Sequence, residues 1–510
     1  MQKDFKELRW EEYLARPIYE EFPEYEKFYT IAWKLAHEHV KEIDGMPQNP
    51  YMDEAFCDTQ IWIWDTCFMS LFCKYAQEVY PGIESLKNFY HVLYNNGKLP
   101  TVIPTDSEPA WTRAIPGEPF SIQVHMADNP PLFAWAEYEN ALIHGDKEYL
   151  KELLYEKRSL QKHYEYLESL KEEKLLPNVY RRTYWTAENI GYKWEGGSSG
   201  MDNTPRGRLG ARAEKERPNN PNMLWIDAIC QQALSAKNIA EMFRILGDNT
   251  QAKIWHEKYT EKKDIVNKYY WDREDKFYYD IDCVSLQHYK VPTIASYWTL
   301  TAGIASEKQA LQMLEYLKQD NMFGGEIPFA SLARKDADFV PQGQYWRGGV
   351  WLPTAYATLK GLTSYGYHKE AQELANKLLS HIWKTYQEYE PHTIWECYAP
   401  DFCAPSTQTD NETIVRPDFC GWSALGPISI FIEYVLGFHT IDAFEKIVQW
   451  EKPNNINGKI GVKNLRFGEV VTDIVAEGAI CNVQSNLPYT LVVNGKAFPI
   501  AIGNNVINLV

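Results

Sequence analysis

The chain lacks any run of about 18 consecutive apolar residues, the length a membrane-crossing helix requires. No membrane partner is therefore expected. The first residues, Met1-Gln2-Lys3-Asp4-Phe5-Lys6-Glu7, hold no apolar core of the kind a signal peptide carries. The expectation is a cytoplasmic protein. Basic residues are in short supply: 52 Lys and Arg stand against 69 Asp and Glu, a formal net charge of −17. Proteins grip phosphate backbones through a basic footprint, so nucleic acid is not an expected partner. Cysteine pairs are missing too. The nine cysteines are odd in number and form no C-x-x-C, which reads as reduced, mostly buried thiols and not as a disulfide frame or zinc site. The twelve histidines never fall at H-x-x-x-H or H-E-x-x-H spacing, so a catalytic metal is not expected; no cofactor is expected either.

Aromatic side chains are what the chain has in excess, with 18 Trp and 34 Tyr. Most such rings serve a core, but many Trp and Tyr also suit a cleft for flat, hydroxyl-rich molecules such as sugars. The length of 510 residues is too great for one small core. Apolar residues recur at helical spacing along most of the chain. Tyr25–Val40, Ser85–Tyr94, Tyr149–Leu170, Asn222–Leu246, Gln251–Tyr270, Lys308–Lys318 and Lys369–Tyr386 read as helices. Further helices open at Trp64-Asp65, Asn129-Pro130-Pro131, Pro292, Trp351 and Phe419. That makes about a dozen between Tyr25 and Leu436, in pairs without a fixed sequence period. Long aromatic loops recur at one kind of junction: 97–127, 177–221, 323–340 and the stretch around His392–Pro400. A closed ring of helix pairs with these loops gathered over one end explains the pattern. After Pro453 short β-rich runs alternate with Asn-Gly and Gly-Asn turns. The expected division is a surface arm at 1–22, a helical body at 23–452 and a small antiparallel β domain at 453–510.

The loop Ser198-Ser199-Gly200-Met201-Asp202-Asn203-Thr204-Pro205-Arg206 is the centre of this plan. Its glycines allow sharp bends and close approach. It places one carboxylate, Asp202, among rings and a guanidinium, where proton affinity can be tuned. Alone, Gly-Met-Asp-Asn reads equally as a turn whose Asp accepts backbone hydrogen bonds. Asp65 likewise reads as a helix N-cap or as a ligand-facing group between two tryptophans. Glu396 is a second carboxylate in an aromatic loop. Cleavage of a glycosidic bond needs such a pair, one acid to protonate the leaving oxygen and one carboxylate to activate water or attack carbon. The remaining acids of these loops, Glu188, Glu195, Glu326 and Asp401, read as supporting groups.

Six segments, in order, resemble a known clan: Trp62-Ile63-Trp64-Asp65, Asn129-Pro130-Pro131, Ser199 to Arg206, Tyr345-Trp346-Arg347-Gly348, Trp395-Glu396-Cys397-Tyr398 and Gly421-Trp422-Ser423. The chain resembles the (α/α)6-barrel glycosidases that include glycoside hydrolase family 63 and the family 37 trehalases. Within them it looks most like the bacterial mannosylglycerate and glucosylglycerate hydrolases. The resemblance implies an inverting, exo-acting enzyme with Asp202 as general acid and Glu396 as general base. It also implies a sugar subsite shaped by Trp64, Asp65, Arg206, Trp346, Arg347 and Trp422, with Trp395, Tyr398, Gln123 and Trp185 as further wall candidates. The expected substrate is a small neutral or monoacidic α-glycoside of glucose or mannose. Ser198, Asn129 and Gly349 depart from residues common in the family (Glu, Gln and Pro), which bears on the exact substrate more than on the chemistry. Two other readings remain: an (α/α)6 epimerase or phosphorylase, an epimerase drawing on His125, His288 and His392, and a sugar-binding protein without catalysis.

Overall fold

The computed structural model describes residues 9–43, 46–53, 60–105, 128–171, 185–194, 196–207, 220–454 and 456–509. Two kinds of helix build the body. Ile63–Cys73 buries every one of its 11 residues and Gly426–Val435 every one of its 10. Helices so largely apolar around their whole circumference must be enclosed. Outer helices show a single buried stripe instead. In His368–Glu388 this stripe is Ala371, Leu374, Ala375, Leu378, Leu379 and Ile382.

Packing closes the enclosed helices into a ring. Ile63–Cys73 touches Phe133–His144, which touches Ile226–Ile245, then Ile294–Thr301, Leu352–Ser364 and Gly426–Val435, which returns to the first. Ser429 Oγ donates to the carbonyl of Leu71 at 3.1 Å across this closure. Pro23–Glu38, Gly82–His91, Ser159–Ser169, Asn249–Tyr269, Glu307–Lys318 and His368–Glu388 lie outside. This is the (α/α)6 barrel that the helix pairs predict.

All six inner helices run the same way. Their C-terminal halves line one cavity of about 560 Å³, where Lys74, Glu139, Lys237, Thr301, Lys360 and Glu433 meet. Lys74 Nζ lies 2.9 Å from Glu433 and Lys360 Nζ 2.6 Å from Glu139. Cations suit the negative ends of helix dipoles. The six N-termini therefore gather at the opposite end, where the described loops that carry Asp202 and Tyr345 lie.

Several elements differ from the sequence expectation. Tyr149–Leu170 is not one helix: Arg158 has φ 55° and divides a π turn, Glu152–Lys157, from Ser159–Ser169. The last inner helix is also π-wound over Gly426–Val435. The 1–22 segment is more than a surface arm, because Arg16–Tyr19 forms a strand, with Tyr19 opposite Ile460. It edges a five-stranded antiparallel sheet that continues through Lys459–Phe467, Val470–Glu477, Ile480–Ser485 and Gly503–Asn508. A second sheet draws Thr440–Asp442 and Ile447–Trp450 from before the expected boundary. Ile447–Trp450 pairs in parallel with Tyr489–Val493, the one parallel pairing among the described strands. The Asn494-Gly495 hairpin forms as its sequence requires, with both residues at positive φ (48° and 80°).

Candidate active site

Asp202 sits half-buried on a loop that is fixed from three sides. Ser199 Oγ accepts from the Met201 N–H at 3.1 Å, and Thr204 N–H reaches the Met201 carbonyl at 3.0 Å. Gly200 has φ 77°, and a Cβ there would come within 2.4 Å of the Trp64 ring. Only glycine allows this loop to lie on that tryptophan. Arg206 closes the loop. Its guanidinium, without any exposure, donates to both oxygens of Asp227 at 2.7 and 2.9 Å and of Asp280 at 2.6 and 2.8 Å. The expected sugar contact by Arg206 is thus corrected: its donors are spent on protein carboxylates, and the residue ties the loop to the barrel wall.

Glu396 is fully buried and held at every polar atom. Its Oε1 accepts from Tyr345 OH at 2.8 Å. The Arg416 guanidinium lies 3.3 Å from both carboxylate oxygens, and the Arg416 N–H is 3.3 Å from Oε2. Trp422 Nε1 and Ser423 Oγ, at the start of the last inner helix, donate to the Glu396 carbonyl at 2.7 and 3.1 Å. The carboxylate is therefore aimed by a helix end and not by a loose loop. Burial raises its proton affinity, while Arg416 and the Tyr345 hydroxyl oppose that rise.

Asp65 is a third buried carboxylate. It is not an N-cap, because Trp62 occupies that position and Asp65 is the third residue of the helix. Its pKa is pushed up to about 8, first by burial and then by the charges of Glu396 and Asp202, against its own backbone hydrogen bond and Arg416. Tyr345 also feels both Glu396 and Asp202. The structure thus brings Asp65, Asp202 and Glu396 into one electrostatic neighbourhood, at the end where six helix N-termini favour negative charge.

Rings surround this group. Trp64 stands edge-on to Trp422 at 5.9 Å, and Trp346 stacks flat on Trp351 at 4.1 Å. Trp346, Trp395, Tyr398 and Trp185 are nearly or wholly enclosed, and Arg347 is buried against Asp338 at 3.3 Å. Trp185 packs on Tyr192 and Trp194, as a core residue does. Gln123, His125, Trp111, Arg113, Glu195, Arg208, Arg212 and Arg217 lie outside the described residues. His288 faces Asp272, and His392 bonds the Tyr386 carbonyl and Glu390, so these two histidines do not meet in the site. Glu188 pairs with Lys193, Asp401 with Arg334, and Glu326 is exposed. Tyr345, Asn203 and Arg416 escaped the sequence reading. The first two stood inside quoted motifs; nothing local marks Arg416.

A pair of carboxylates among tryptophans, at the loop end of an (α/α)6 barrel, is the equipment of a glycoside hydrolase. Comparison with known proteins agrees. The chain belongs to the mannosylglycerate hydrolase MGH1-like glycoside hydrolase domain family, whose model matches residues 59–410. An uncharacterised protein of Borreliella burgdorferi is 26% identical over 439 residues, covering 83% of this chain and 81% of that one. A cytosolic neutral trehalase of Kluyveromyces lactis is 28% identical over 137 residues, which span 26% of this chain and 18% of the trehalase. Among solved structures, the family 63 mannosylglycerate hydrolase of Thermus thermophilus in complex with glucose superposes with a TM-score of 0.57 at 17% identity. That match covers 79% of this chain and 99% of the other, and it supports the fold.

Proposed function

We propose that the protein is an inverting, exo-acting α-glycosidase of small glycosides, with Asp202 as general acid and Glu396 as general base. The observation that carries this reading is the setting of Glu396. It is buried, bonded by two donor side chains, and within reach of the same groups as Asp202. Donor hydrogen bonds favour the ionised carboxylate a base must be, and burial keeps its proton affinity high enough to draw a proton from water. Asp202, by contrast, is half-buried and shares the neighbourhood of Asp65 and Glu396, open to a leaving-group oxygen as an acid must be. Inversion needs roughly 6.5–9.5 Å between the two carboxyl groups, room for the water that Glu396 would activate.

Relatives named as mannosylglycerate hydrolase and trehalase support a small α-linked substrate. Arg416, 39% exposed beside Glu396, would suit one substrate carboxylate at the mouth of the site. The test is a panel of kojibiose, nigerose, trehalose, and α-linked glucose or mannose on glycerate, assayed for released monosaccharide. Cleavage of at least one member is expected, with turnover lost by about 10³-fold or more in Asp202→Asn and Glu396→Gln. A preference for long starch chains over the whole panel, or full activity in either variant, would refute the proposal.

A further inference from the structure

Asn203 follows the proposed acid directly, and its side chain is 4% exposed. Its Oδ1 accepts from the Trp346 N–H at 2.8 Å, and its Nδ2 donates to the Gln344 carbonyl at 2.9 Å. These two backbone groups flank Tyr345, the residue whose hydroxyl holds the proposed base at 2.8 Å. Gln344 and Tyr345 stand at φ 39° and 63°. Non-glycine residues keep such left-handed conformations only where their neighbours enforce them. On the other side Tyr345 N–H reaches the Thr407 carbonyl at 2.8 Å, and Gln344 N–H reaches Thr407 Oγ1 at 3.1 Å. The Tyr345 ring meets Trp351 edge-on at 4.7 Å.

We propose that Asn203 is a positioning residue that locates the general base through Tyr345, so that the acid loop and the base loop are held as one unit. This rests on the proposed roles of Asp202 and Glu396. The amide does two jobs at once: one group orients the peptide before Tyr345, the other the peptide after it. A side chain lacking either group loosens the Tyr345 backbone, which keeps only its bonds to Thr407, Gly349 N–H and Trp351 Nε1, and the hydroxyl's approach to Oε1 is then less closely fixed. The other groups that face Glu396 are the Arg416 guanidinium and backbone N–H, with Asp65 and Cys397 nearby, and they stay in place.

The test uses the full-length protein labelled with [13Cδ]glutamate and titrated by NMR, with Glu396→Gln identifying the Glu396 signal. Tyr345→Phe is expected to raise the Glu396 midpoint by about one pH unit, as loss of one donor to a charged group requires. Asn203→Ala should raise it in the same direction, and the double variant should rise no further than Tyr345→Phe alone. Asn203→Ser, a milder change, provides the same reading if the alanine variant folds poorly. A midpoint unchanged in the Asn203 variants while Tyr345→Phe moves it, or additive shifts in the double variant, would overturn the proposal. With α-glucosyl and α-mannosyl fluoride as probes, Asn203→Ala should lower kcat about tenfold and leave KM within about threefold, the mark of lost positioning and not lost binding. Activity retained in Glu396→Gln would defeat the assignment of the base, while the titration would still decide the role of Asn203.

Discussion

Asp65 has the most direct consequence at the scale of single residues. Its carboxyl rises from 3.8 to about 8 on folding, because burial and two neighbouring carboxylates penalise its charge. The folded state therefore holds a proton that the unfolded chain releases. The stability this gives is complete below about pH 4 and is lost as pH rises through about 8. Melting temperatures should fall over that window, and Asp65→Asn, which cannot ionise, should flatten the fall. An equally steep fall in the variant would contradict the burial and coupling described for this group. Aromatic loops alone do not single out Asp202 and Glu396 from 69 acidic residues; the resemblance of the motifs around them to a known clan is what proposes them. Asn203 and Arg416 were less legible, since their meaning lies in contacts at 143 and 20 residues' separation. Arg206 shows the limit from the other side. A guanidinium in a loop is the same in sequence whether it meets a substrate or two buried aspartates.

At the scale of elements, Arg206 joins three pieces: the Asp202 loop, the helix Ile226–Ile245 through Asp227, and the strand Asp280–Asp282 through Asp280. It also lies 4.4 Å over the Trp225 ring. Arg206→Met would leave two buried carboxylates without their cation. A loss of about 3–5 kcal/mol is expected in urea unfolding, the scale for breaking a buried ion pair. A loss below about 1 kcal/mol would show that the aspartates are satisfied in another way. Helix positions were legible from apolar spacing, and most boundaries fall within a few residues of expectation. The break at Arg158 was not, because Lys157-Arg158-Ser159 contains no glycine or proline to announce a left-handed residue. Helix winding was hidden too: Gly426–Val435 is almost wholly apolar and buried on all sides, and such a pattern does not distinguish α from π.

At the scale of the whole molecule, the β-rich C-terminus and the N-terminus are one unit. Arg16–Tyr19 completes the five-stranded sheet, and Tyr19 packs on Phe22, Tyr25 and Phe431 of the barrel. The Ala443 and Gly468 N–H groups donate to the carbonyls of Leu142 and Ile143, so the β domain is bonded to an inner helix. Tyr19→Ala should lower stability by about 3–5 kcal/mol, as expected for emptying a buried aromatic site, and calorimetry should show barrel and β domain melting together. A separate early transition would contradict a joined unit. This union was not readable locally, since four residues with a proline resemble a loose arm until their partner, some 440 positions away, is known.

The paired roles of Asp202 and Glu396 meet their sharpest test in the stereochemistry of the first product. Proton NMR of the sugar released from α-glucosyl or α-mannosyl fluoride, whose leaving group adds no sugar signal, reads it directly before the anomers equilibrate. Water delivered by Glu396 from the face opposite the leaving group predicts the β-anomer first, with the α-anomer appearing only by mutarotation. Initial release of the α-anomer would mean that a carboxylate attacks carbon, and the account of Glu396 as a base acting on water would be wrong.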